Sequence, residues 1–183
     1  MSDTKEQFSK ITLVLHWLIA ITIIAMMIVG TYMQDNKVYD MYPTHKSIGM
    51  LIFLVILVRV VWRLKNGWPT PIGTQNSIEH MLAKSVHWVL LIGTVLFPIS
   101  GMIMSGTGGH GLAIFGLELL ASNYDATGKA IALNAQAAEN ANTLHGILPK
   151  VIGAAVILHI MGALKHHFVD KDGTLRRMLG NRI

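Results

Sequence analysis

The stretch from Thr143 to Phe168, TLHGILPKVIGAAVILHIMGALKHHF, is apolar over most of its length yet carries His145 and His159 fourteen residues apart. Fourteen residues make nearly four helical turns, so a helix here sets both imidazoles on one face, ~21 Å apart along its axis. Bilayer hydrocarbon is ~30 Å thick, and the two rings then fall one near each surface, both below the headgroups. Ionisable side chains in a spanning helix are costly, and a functional role is their default reading. Two unrelated polar contacts to neighbouring helices are the plainer alternative. Two cofactors stacked across a membrane are the reading that uses the spacing.

Three further apolar runs precede this one. The sequence predicts an all-α, integral membrane four-helix bundle, a single domain over residues 1–183, with spans at about 11–32, 44–64, 81–105 and 144–168 and an outer connection at 106–142. A hydrophobic fraction of 52%, with 14% charged residues and a mean hydropathy of +0.49, fits that class. The first run has no small-residue cleavage site behind it and reads as a span, not a removed signal peptide. Pro98 falls inside the third span, where bundle packing tolerates a kink. The connection opens Gly-rich, and its Ala-rich part, residues 126–141, suits a short interfacial helix.

The net charge of +5 is read through topology rather than as a nucleic-acid signal. Four spans put both termini on one side. That side holds Lys5, Lys10, Arg59, Arg63, Lys65, Lys84, Lys165, Lys171, Arg176, Arg177 and Arg182, eleven basic residues against four (Lys37, Lys46, Lys129 and Lys150) on the other. The positive-inside rule makes the termini cytoplasmic and the long connection periplasmic, in a bacterial inner membrane. With no cysteine in the chain, iron–sulfur clusters, thiolate zinc sites and covalent c-type haem attachment are excluded.

Depth then sorts the histidines into an inner pair, His16 and His159, and an outer pair, His45 and His145. Each pair suits a haem iron held from opposite sides in the bundle core, which leaves no open position on iron and favours electron transfer. Gly146, Gly153 and Gly49 are candidates for the close approach of helices around a flat macrocycle. Arg59, fourteen residues after His45, either pairs with an inner haem propionate or snorkels to the interface. Arg63, a turn further on, reads as an interface anchor. His87 is an alternative inner ligand to His16. Together with His166 it is also a candidate donor to a quinone headgroup.

The opening His16-Trp17, His45 after the outer loop, the exit Arg59-x-x-x-Arg63-Leu64-Lys65, His145, His159 and the ending Leu164-Lys165-His166-His167-Phe168 together resemble the bacterial cytochrome b561 family, over residues 8–178. The resemblance is nearest the superoxide-oxidising members of the inner membrane. It implies two non-covalent b haems, ligated by His16 with His159 and by His45 with His145, and a quinone site near the inner haem at His166, with His87 similarly placed. It further implies that an electron from superoxide at the periplasmic face passes through both haems to ubiquinone. Lys46 and Lys150, beside the outer ligands, would steer the anion or pair with propionates or headgroups. Two rival readings differ: a quinone-reactive cytochrome b subunit docking a dehydrogenase or hydrogenase partner, and a haem-free metal transporter using the histidines as ligands. Against the transporter stand the distance between the pairs and the lack of intramembrane Asp or Glu.

Overall fold

The computed structural model describes residues 3–72 and 76–183. Gly73, Thr74 and Gln75, in the expected connection between the second and third spans, lie outside the described residues. Four long helices are apolar enough to cross a membrane: α1 (Lys10–Asn36), α2 (Tyr42–Asn66), α3 (Ser77–Thr107) and α4 (Ala135–Phe168). A short helix, α5 (Thr174–Met178), follows. Between α3 and α4 a two-stranded antiparallel hairpin forms, β1 (Leu112–Ile114) with β2 (Leu117–Leu120).

The helix starts are written in side chains. Ser9 accepts from the Thr12 amide at 3.2 Å, Asn76 from the Glu79 amide at 2.9 Å and Asn134 from the Ala137 amide at 3.0 Å, each satisfying an otherwise orphaned N–H. Pro43 occupies the first turn of α2, where its missing N–H costs nothing. Lys37 closes α1 in the left-handed region at φ 56°.

Two parts of the connection differ from the sequence expectation. The Ala-rich stretch does not make a separate interfacial helix, because Asn134 caps α4 itself and residues 135–141 form its first two turns. Residues 112–120, within the expected outer connection, form the hairpin, a strand pair that the sequence reading does not include. At 34 residues α4 is ~51 Å long, so it overshoots the hydrocarbon.

At mid-membrane, Ile19 and Ile23 of α1, Ile52 and Ile56 of α2, Phe97 of α3 and Leu148 and Ile152 of α4 form the buried core. Gly93 lets α3 approach α4 closely: a Cβ there would stand 3.0 Å from Ile152 Cγ1. α3 and α4 make the largest contact, whereas α1 packs chiefly on α2. Proline interrupts the hydrogen-bond ladder of two helices, at Pro98 in α3 and Pro149 in α4.

One end of the bundle, here called proximal, is tied by the two termini. The Trp17 indole donates to the Met178 carbonyl at 2.9 Å and the Ile183 amide to the Glu6 carbonyl at 3.1 Å. Arg177 is 4% exposed. It donates to the carbonyls of Lys5 at 2.9 Å and Thr70 at 3.2 Å, with its guanidinium 4.1 Å over the Phe8 ring. Asp172 caps α5 by accepting from the Thr174 amide at 2.8 Å. Burial pushes its carboxyl up, but hydrogen bonds from Thr174 and the neighbouring His166 outweigh that and hold it below the ordinary carboxylate range.

Arg177→Ala removes these bonds and the ring contact together. A loss of about 2 kcal/mol in detergent unfolding is expected, with earlier proteolysis of residues 3–9. The depressed carboxyl of Asp172 contributes stability that is complete above the unfolded carboxylate value of ~3.9 and is lost as pH falls below it. In Asp172→Asn that acid-side loss of stability should shrink, as read by melting temperature against pH.

Candidate functional site

α4 carries His145 and His159 on either side of the buried Leu148 and Ile152. The histidines consequently gather at two levels, separated by the apolar core.

At the proximal level three imidazoles converge: His16 from α1, His87 from α3 and His159 from α4. Ring centroids of His16 and His159 lie 6.1 Å apart and those of His87 and His159 5.2 Å. A metal–imidazole bond of ~2 Å on each side sets two nitrogens ~4 Å apart, a gap that rings at such separations can span. Trp68, from the α2–α3 connection, lies 6.3 Å from the His87 ring and 5.3 Å from the Trp88 ring.

Arg59 Nη2 donates to His16 Nδ1 at 3.4 Å. A guanidinium only donates, so neutral His16 in this arrangement carries its proton on Nε2. Were a metal held at Nε2, the remaining ring proton would sit on Nδ1, and Arg59, which has no acidic partner among the described residues, would be free for another anion. An anionic substituent of the cofactor is the partner this cation lacks. Arg63, by contrast, pairs with Asp3 at 3.6 Å and donates to the Gly67 carbonyl at 2.9 Å.

At the distal level are His45 of α2 and His145 of α4, near enough to interact electrostatically. His145 Nδ1 lies 3.1 Å from the Phe97 carbonyl and 2.9 Å from Ser100 Oγ, and Ser100 donates to that carbonyl at 2.7 Å. An acceptor at Nδ1 fixes the tautomer with Nε2 bare, the arrangement of a metal-bound imidazole. His45 Nδ1 is buried without a partner.

Small residues on the opposite helices make room for both distal rings. A Cβ at Gly30 would stand 3.3 Å from His45 Cε1, and one at Gly101 3.0 Å from His145 Cε1. These are not the glycines singled out by sequence. Gly146 and Gly153 meet nothing within 4 Å, and Gly49 only the Met26 side chain at 3.9 Å. Gly30, Gly101 and Ser100 act across helices, and no local motif marks them.

The other expected residues separate. His87 joins the proximal cluster, while His166 Nδ1 lies 2.8 Å from Asp172 and 3.0 Å from Asp170, beyond the last ligand turn of α4. Lys46 donates to Ser105 Oγ at 3.2 Å and to the His110 carbonyl at 3.3 Å, and Lys150 is exposed. Imidazole donors at both levels, an unpartnered buried nitrogen at His45 and an uncompensated arginine at Arg59 fit b-type haem. They do not suit a hard cation, which takes oxygen ligands.

The family described as prokaryotic cytochrome b561 matches residues 7–181 of the chain. Among individual proteins, cytochrome b561 homolog 2 of Escherichia coli is 32% identical over 98% of this chain and 94% of its own length. Cytochrome b561 homolog 1 of the same organism is 23% identical over 97% and 99%. The probable superoxide oxidase CybB of Yersinia pestis is 25% identical over 95% and 96%. With four spanning helices, imidazoles at two depths and a family match over nearly its whole length, the chain belongs to the prokaryotic cytochrome b561 family, multi-pass inner-membrane proteins that transfer electrons through b-type haem.

Proposed function

We propose that the chain holds two b haems, one between His16 and His159 and one between His45 and His145, and carries electrons from superoxide at the periplasmic face to ubiquinone at the cytoplasmic end. The observation that carries this reading is the pair of imidazole clusters on α4, one in each leaflet with the apolar core between them. Superoxide as donor is supported by the likeness to the probable superoxide oxidase of Yersinia pestis alone. The excess of basic residues at the proximal end, eleven against four, supports a cytoplasmic placement of that end.

Held by two imidazoles, haem supplies one-electron transfer without an open coordination position. His145, oriented by the Phe97 carbonyl, and His45, admitted by Gly30, hold the distal group. Arg59, now against His16 Nδ1, would neutralise a propionate of the proximal one. His87 lies outside the ligand pair but against His159, where it donates a hydrogen bond and a proton to a quinone headgroup, with Trp68 beside it. His166, held by Asp170 and Asp172, stands at the same end as a second donor. At the distal end, Lys46 and Lys150 draw the anion and raise the encounter rate. Two superoxide ions give two electrons and leave as dioxygen. With two protons taken from the cytoplasm, those electrons convert one quinone to quinol.

Substituting His16, His159, His45 or His145 by alanine should each remove one of the two haems, read by pyridine haemochrome per protein, and Gly101→Val should do the same by displacing His145. His87→Gln should keep both and slow quinone reduction; loss of a haem in His87→Gln instead would make His87 the ligand in place of His16.

The deciding experiment mixes the purified oxidised protein with a superoxide source and follows the haem bands with and without ubiquinone. Reduction abolished by superoxide dismutase, and reoxidation on adding quinone, is the expected result. Reduction by quinol and not by superoxide would overturn the donor assignment in favour of a cytochrome subunit serving a protein partner.

A further inference from the structure

The hairpin between α3 and α4 has two unlike faces. Cross-strand partners share a face, so Ala113 lies with Glu118 and Leu112 with Leu120; the register slips between Leu112 and Ala113, which breaks the alternation, and all four line a cavity of about 500 Å³ that Lys46 also borders. Ile114 pairs with Leu117 on the face opposite Ala113 and Glu118; Leu119, unpaired at the slip, and Leu117 both stay clear of the cavity. Leu117 is 67% and Leu119 58% exposed, an uncovered apolar stripe whose strand has Glu118 turned the other way.

The turn is as telling. Phe115 and Gly116 both take positive φ, 46° and 90°, the backbone of a two-residue hairpin turn in which asparagine and glycine are at ease. A phenylalanine in the left-handed region costs ~1 kcal/mol, and this one borders the cavity yet is 65% exposed, so packing within the chain does not fully compensate it.

Depth identifies what does. Ser47 Oγ accepts from the Phe115 amide at 2.9 Å and reaches the Ala113 carbonyl at 3.3 Å, pinning the tip to the second turn of α2. Set symmetrically in ~30 Å of hydrocarbon, the 25 residues of α2, ~38 Å long, overhang by ~4 Å at each end, and Ser47, five residues in, falls ~4 Å below the distal boundary. One turn deeper, Leu51 is 42% exposed and begins the lipid-facing side of α2. Ser47, to which the tip is pinned, stands one turn from the start of that belt.

We infer that the hairpin is a membrane-inserted element: Phe115, Leu117 and Leu119 dip into the acyl chains of the distal leaflet, while Glu118 and Leu120 close the cavity above the start of α2. The partner is the lipid surface itself. This inference rests on the membrane-spanning fold and not on the electron donor.

Because the chain has no cysteine, single-cysteine variants need no background removal. Leu117→Cys, Glu118→Cys and Leu119→Cys would each be spin-labelled in the full-length protein in phosphatidylcholine vesicles, with haem absorbance confirming the fold. Labels at 117 and 119 should collide more with dissolved oxygen than with a water-soluble nickel chelate, and the label at 118 should reverse that order. Equal nickel access at all three positions would overturn the inference by placing the hairpin in water. Spin–spin broadening at 117 that disappears on dilution with unlabelled protein would overturn it in favour of a second copy covering the stripe.

Discussion

The bilayer's intolerance of unpaired polar groups is the constraint on which this structure depends. α4 places two imidazoles where water cannot solvate them, and the other helices are arranged to answer those two groups. Each level brings its own reply: His16, His87 and Arg59 at one, His45, Ser100 and the Phe97 carbonyl at the other. Between them lies an apolar core, with the Thr94 hydroxyl bonded back to the Leu90 carbonyl of its own helix.

Much of this was legible in the sequence because depth and helical phase are local properties. Counting residues from the end of each apolar run gives the level of every histidine, and a fourteen-residue interval gives its face. What crosses from one helix to another was not legible. Nothing near Gly30 or Gly101 in sequence points to a ring on another helix, whereas Gly146 and Gly153, close to a histidine in sequence, face open space. His87 and His166 are both candidate quinone donors by sequence, yet α3 turns one toward His159 and Asp172 holds the other. The Ala-rich stretch misled because alanine suits any helix. It was Asn134, a capping residue, that decided where α4 begins.

The two ends of the bundle are built differently. The proximal end is laced by both termini and the α2–α3 connection through Arg177, Trp17 and Ile183, so the helices there are held to one another by chain ends. The distal end is covered by the hairpin, whose first strand packs along α2 and is bonded to Ser47.

The prolines sharpen that difference. Pro149 stands four residues after His145, so the His145 carbonyl has no amide of its own helix to meet, and Pro98 frees the Thr94 carbonyl of α3 in the same way. His159 has an ordinary amide four residues on, at Ala163. The backbone beneath the distal imidazole therefore bends at lower cost than the backbone beneath the proximal one. A change in ring position at the distal level is taken up by the helix axis, and at the proximal level by side-chain torsions alone.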